Sequence, residues 1–121
     1  MTENEIGTII VEGALMEKKS YCMVLSTCSG DEEAAKLAEA IIGNRLAACV
    51  QIMPIRSIYQ WKGEIHRDEE RLLVMKTTAA AYCRLEEFIV QHHSYEVPEI
   101  VQVPIESGFR EYFAWIDSIA G

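Results

Sequence analysis

Trp61-Lys62-Gly63-Glu64 joins two long runs that both read as strands: RLAACVQIMPIRSIYQ (45–60) before it and EIHRDEERLLVMKTT (64–78) after it. A turn this short leaves no room for a crossover, so the two strands must be antiparallel neighbours. That pairing argues against a doubly wound parallel sheet. The first of the two strands runs about 14 residues, roughly 46 Å at about 3.3 Å each, against a typical 17–20 Å. Its tip carries Ile58, Tyr59 and Trp61, which a lone subunit would expose. Apolar side chains there predict a contact between subunits; the alternative is a hairpin bent back at Pro54 onto its own domain. Proline cannot donate to a ladder, so Pro54 marks a bulge or an edge.

The segments flanking the hairpin complete the topology. YCMVLST (21–27) is short, apolar and turn-bounded, as a buried strand would be. The helix that follows opens with a capping-box pairing of Ser29 and Glu32. It carries Ala34, Leu37, Ala38, Ile41 and Ile42 at helical spacing, and Gly43 offers a left-handed stop. A second helix places Tyr82, Leu85, Phe88, Ile89 and His92 on one stripe, VPEIVQVPI (97–105) reads as the fourth strand, and Phe109, Tyr112, Phe113, Ile116 and Ile119 mark a terminal helix. Two βαβ units joined by a hairpin predict an α/β, ferredoxin-like βαββαβ sandwich with right-handed crossovers and an extra C-terminal helix. The first two helices should share one sheet face. YCMVL, LAACV and LLVM are apolar at consecutive positions, whereas a half-solvated sheet alternates apolar with polar. The second face therefore also calls for cover, most economically from copies of the same chain.

Composition narrows the function. A net charge of −8 and no basic stripe argue against nucleic acid as a partner. No segment approaches transmembrane length, and acidic residues precede the first apolar stretch, so neither a membrane partner nor a secretory signal is expected. Cys22, Cys28, Cys49 and Cys83 form no C-x-x-C pair; reduced thiols in a cytoplasmic protein are the simplest reading. Residues 1–19 read as an extension, with one added strand as a further option, and residues 20–121 as a single domain. No nucleophile-elbow, Walker or Rossmann pattern is present, so an enzyme is not expected.

RLAACVQI, SIYQWKGEI, LLVMKTT and HHSYEVPEI, in this order, resemble the CutA family, named for divalent cation tolerance. The resemblance spans residues 21 to about 117. It implies a homotrimer of ferredoxin-like subunits with interlocking hairpins, an architecture similar to the PII signalling proteins. It also implies binding of copper or another divalent cation, with His92, His93 and Cys49 at the family's ligand positions. The family's first-strand cysteine falls on Ser26, and its motif proline on Ser94. Cys28 shares a strand face with Ser26 by the two-residue period and is a stand-in ligand on this reading. Cysteine and histidine together favour copper, nickel or zinc over magnesium or calcium. A PII-like signalling or scaffold trimer, binding a small metabolite or a protein, is the alternative.

Each of these residues also has a plainer role. A histidine in the last turn of a helix can hydrogen-bond orphan carbonyls and is favoured by the helix dipole, and His92 could equally be a satisfied core residue. Adjacent histidines on a regular helix point about 100° apart, so His92 and His93 converge only where the backbone leaves the helix. Tyr95, Glu96 and Glu99 either line a polar pocket between subunits or form an interfacial hydrogen-bond network. Asp68, Glu69 and Glu70 read as a solvated strand face, and His66 as surface.

Overall fold

In the computed structural model the backbone is described for residues 2–3, 8–11 and 14–17, and the whole chain for residues 19–121. Near the N-terminus, β1 (Thr2–Glu3), β2 (Thr8–Val11) and β3 (Ala14–Glu17) pair antiparallel in a sheet of their own. Where one added strand was an option, three strands pair with one another.

The main domain runs β4 (Tyr21–Cys28), α1 (Asp31–Gly43), β5 (Cys49–Trp61), β6 (Glu64–Thr78), α2 (Tyr82–His92), β7 (Ile100–Ile105) and α3 (Arg110–Ile119). The sheet order is β5-β6-β4-β7 with antiparallel neighbours throughout, the ferredoxin-like arrangement. β5 and β6 pair without interruption from Cys49↔Lys76 to Trp61↔Glu64. Pro54 therefore makes no bulge: it lies on the edge strand, where a missing N–H leaves no gap in the sheet. At the tip Lys62 (φ 52°) and Gly63 (φ 82°) are both left-handed, the backbone twist that matches two-residue hairpins.

Two local expectations change. The Ser29 amide and hydroxyl both bond Glu33, at 3.3 and 3.1 Å. Gly30, not Ser29, is the N-cap, so the reciprocal pairing with Glu32 is absent. At the other end Gly43 is still helical, and Arg45 takes the left-handed position with φ 58°. The Leu46 amide reaches the Ile41 carbonyl and the Arg45 amide that of Ile42, at 3.1 and 2.9 Å, the paired bonds of a Schellman end. A non-glycine residue there costs about 1–2 kcal/mol. Tertiary bonds hold it: its guanidinium donates to the Ser118 carbonyl (3.2 Å) and its own carbonyl accepts from Gly121 N–H (3.2 Å).

The core lies between α1, α2 and one sheet face. Cys22, Val24 and Cys28 of β4 and Leu73 and Met75 of β6 meet Leu37 and Ile41 of α1 and Leu85 and Ile89 of α2. α3 packs on the opposite face, where Ile116 and Ala120 cluster with Ala48, Tyr21 and Phe113. One helix thus covers part of the second face without any other subunit. The rest of that face still presents Met23, Leu25, Val74 and Val103, all partly exposed, beside Met53 and Val101, which are 47% and 45% exposed.

Tyr21 fastens α3 to the sheet. Its ring stacks on Phe113 with centroids 4.2 Å apart, and its hydroxyl donates to Asp117 at 2.5 Å. Burial and that carboxylate push the Tyr21 phenol up to about 12; the Glu86 carboxylate and burial do the same to Tyr82. A phenol whose folded pKa exceeds its unfolded value of about 10 stabilises fully below that pH. The contribution fades as pH rises towards 12. Circular dichroism is expected to show loss of structure across that window, with tyrosinate absorbance rising together with it. Tyrosinate forming near pH 10 while the fold persists would contradict these two environments.

Candidate functional site

α2 ends at His92, and His93, with φ −88° and ψ 144°, is already extended. The backbone leaves the helix between the two histidines and sends their rings to different places. His92 is exposed: its ring stacks on Phe88 (4.0 Å), and its Nδ1–H donates 2.8 Å to the Phe88 carbonyl. It closes the helix as a terminal histidine can, and it is not a core residue. Its ring also borders a groove of about 740 Å³ along the start of α1, shared with Ser29, Glu33, Lys36 and Ser94.

His93 turns inward. Its Nε2–H donates 2.6 Å to the Thr27 carbonyl, and its Nδ1 accepts the Tyr95 amide at 3.0 Å. The two bonds specify the Nε2–H tautomer and lock the ring between β4 and the loop after α2. Cys28 Sγ lies 3.9 Å from the same Nε2. Burial, with Glu33 and Glu70 nearby, pushes the Cys28 thiol up to about 11, so near neutrality it is a thiol and a poor nucleophile.

Of the four expected ligands, the fold brings Cys28 and His93 together and leaves His92, next to His93 in sequence, on the outer surface. Cys49 is elsewhere. It pairs with Lys76 on β6 whereas Cys28 pairs with Arg71, a separation of about 17 Å along the strand. The odd five-residue offset also puts the two cysteines on opposite sheet faces. Among the described residues, no three His, Cys, Asp or Glu side chains within one chain are grouped to hold a metal ion.

Glu70 departs from the solvated reading. It is 6% exposed, and Tyr95 Oη donates 2.6 Å to its Oε2. Burial and the Glu70 carboxylate raise the Tyr95 phenol well above its ordinary value. Glu70 and Tyr95 form one wall of a cleft of about 540 Å³, with Glu96 and Glu99 on the loop and Tyr59 and Trp61 on the hairpin. Tyr95, Glu96 and Glu99 therefore line a cleft within a single chain, and the Tyr95–Glu70 bond is part of its wall. Sequence reasoning missed Glu70 because its neighbours Asp68 and Glu69 are charged. The usable signal was strand alternation: Glu70 shares parity with Leu72 and Val74. His66 is half-buried rather than plain surface, its ring stacked on Tyr59 at 5.4 Å.

A model of the CutA1 divalent ion tolerance protein family matches residues 22–119. The divalent-cation tolerance protein CutA of Thermus thermophilus is 46% identical over 100 residues, covering 82% of this chain and 97% of that protein. Protein CutA of Mus musculus is 40% identical over 94 residues. That match covers 77% of this chain, which spans about half (53%) of the mouse protein. Among solved structures, CutA1 from Oryza sativa superposes with a TM-score of 0.82 at 36% identity, covering 84% of this chain and 94% of the rice one.

Proposed function

The chain belongs to the CutA1 divalent ion tolerance family, and from that membership we propose that it binds a soft or borderline metal ion, copper first, as an oligomer contributing to metal tolerance. The observation that carries the site is the 3.9 Å approach of Cys28 Sγ to His93 Nε2 at the end of α2. A metal with bonds of about 2.3 Å to sulfur and 2.0–2.1 Å to nitrogen at a tetrahedral angle holds those atoms roughly 3.5 Å apart. Only a small closure separates the two distances. Thiolate with imidazole favours copper or zinc over magnesium or calcium. Binding would displace the Cys28 proton and move the His93 proton from Nε2 to Nδ1, which gives up the bonds to both the Thr27 carbonyl and the Tyr95 amide; loss of the thiol proton makes affinity rise with pH. His92, whose Nδ1 serves the helix end, supplies a third ligand through Nε2 after a side-chain rotation. Cys49 takes no part within one subunit.

Assembly of subunits is supported by the apolar remainder of the second sheet face and by the exposed hairpin tip, where Ile58 and Ile65 are 65% and 63% exposed; the number three is what the family resemblance implies. Four free thiols suit a reducing compartment such as the cytoplasm. The proposed activity is binding rather than turnover.

Titration with Cu(I) under reducing conditions is expected to give a saturable isotherm. His92→Ala combined with His93→Ala should weaken it by roughly tenfold or more, as should Cys28→Ser. Circular dichroism establishes that the variants remain folded. An isotherm unaltered in the double variant rejects the site.

A further inference from the structure

Glu33 joins the two chain segments that carry Cys28 and His93. It lies in the first turn of α1 and is partly buried. One of its carboxylate oxygens accepts the Ser29 amide at 3.3 Å and the Ser29 hydroxyl at 3.1 Å. The other accepts the Ser94 amide at 3.3 Å. Ser29 directly follows Cys28, and Ser94 directly follows His93. The Ser29 half is common at helix starts, where an acid reaches back along the chain and is favoured by the dipole. The Ser94 half has no such local explanation, because it spans 61 residues and satisfies no amide of α1. Position 94 is proline in the motif that HHSYEVPEI resembles, and proline has no N–H to donate. Serine there makes the bond possible.

We infer that Glu33 is a positioning residue that clasps the end of β4 to the loop after α2, and so holds Cys28 Sγ within 3.9 Å of His93 Nε2. Its use rests on the metal-binding function proposed above; its geometry does not. In the structure the His93 ring also ties the two segments, through its bond to the Thr27 carbonyl. Coordination through Nε2 gives up that bond and the one from the Tyr95 amide. Among the described residues, the link from Ser29 through Glu33 to Ser94 is then the hydrogen-bonded tie that remains between the end of β4 and the loop. A loop held in place beforehand spares the ordering that binding otherwise requires. Burial opposes the Glu33 charge, but the bonds from Ser94 and Ser29 outweigh it and hold the carboxyl below its ordinary value. Near neutrality both oxygens therefore accept.

Nitrogen NMR of the imidazoles in the metal-free full chain tests the clasp, and Cu(I) titration tests its use. Wild-type His93 should show one fixed tautomer, protonated at Nε2 and bare at Nδ1. Glu33→Ala is expected to draw the two nitrogen signals together as the ring loosens, and to weaken Cu(I) about tenfold, as for groups that orient a metal ligand. Ser94→Pro deletes one N–H and leaves the Ser29 bonds to Glu33 in place. It should also draw the signals together and weaken Cu(I) about threefold, the scale of one hydrogen bond, and it keeps the test open if Glu33→Ala fails to fold. Glu33→Gln, which retains one acceptor oxygen and turns the other into a donor, should restore part of each loss. A role confined to the helix start predicts a lower thermal midpoint for Glu33→Ala with His93 signals as in wild type. That result overturns the inference, as does a folded Ser94→Pro with wild-type signals or a folded Glu33→Ala with wild-type Cu(I) affinity. Wild-type protein without saturable Cu(I) binding rejects the metal reading instead, and the imidazole signals still decide the clasp.

Discussion

Leu73→Ala is expected to destabilise the domain by about 2–5 kcal/mol, the range for truncating a fully enclosed leucine. Leu73 is 0% exposed, sits mid-way along β6, and is paired with Ser26 of β4 and Ile52 of β5. It faces α1 and α2, and is enclosed with Ile41, Leu85 and Ile89. Helices above and strands on both sides leave the cavity little freedom to collapse. A whole domain of this kind is stable by about 5–15 kcal/mol, so the loss is a large share of the total. Thermal unfolding followed by circular dichroism should show a midpoint lowered by roughly 10 °C or more. A shift of only a degree or two would mean that this face is not the core.

Val74→Asp, one residue along, is expected to act on assembly instead. Val74 points to the opposite face, paired with Leu25 and Gln51, and is only partly buried in one chain. If subunits close over that face, each copy buries an unpaired carboxylate, at several kcal/mol per site. Sedimentation should change from a multi-subunit species to a single folded subunit with near-native circular dichroism. Wild-type sedimentation for the variant would sink the proposed interface. Wild-type protein that is itself a folded single subunit at micromolar dilution would sink the assembly.

The alternating consequences of Leu73 and Val74 are legible in the sequence alone. LLVM is apolar at successive positions, and successive strand residues face opposite ways, so both faces had to be dry. The hairpin, the helical stripes and the strand order followed in the same way from turn length and period. What covers the second face was not readable in full. α3 lies against Tyr21 and Ala48, contacts between residues about 70 to 95 positions apart in sequence, and no local pattern specifies them. The left-handed helix end fell on Arg45 instead of Gly43 for a similar reason. Bonds to Ser118 and Gly121 hold a conformation that local preference disfavours.

The candidate site divides along the same line. That His92 could close its helix was visible from its position in the last turn. That His93 would turn to Thr27 and meet Cys28, while Cys49 stood on the other face, depended on where the chain left α2 and on strand register. Glu70 is the sharpest case: within a run of charges its burial is decided by which side of β6 it occupies and by a tyrosine 25 residues away.

By itself, then, the sequence determined the α/β sandwich, its long hairpin, its two apolar faces and its family. The sandwich, the hairpin and the two faces rest on periodicity and turn length, which act over a few residues; the family rests on the motifs themselves. Only the tertiary structure decided which thiol meets a histidine, which acid is buried, and where a cleft opens. Such pairings join distant segments, and their energies depend on the register and direction with which those segments pack.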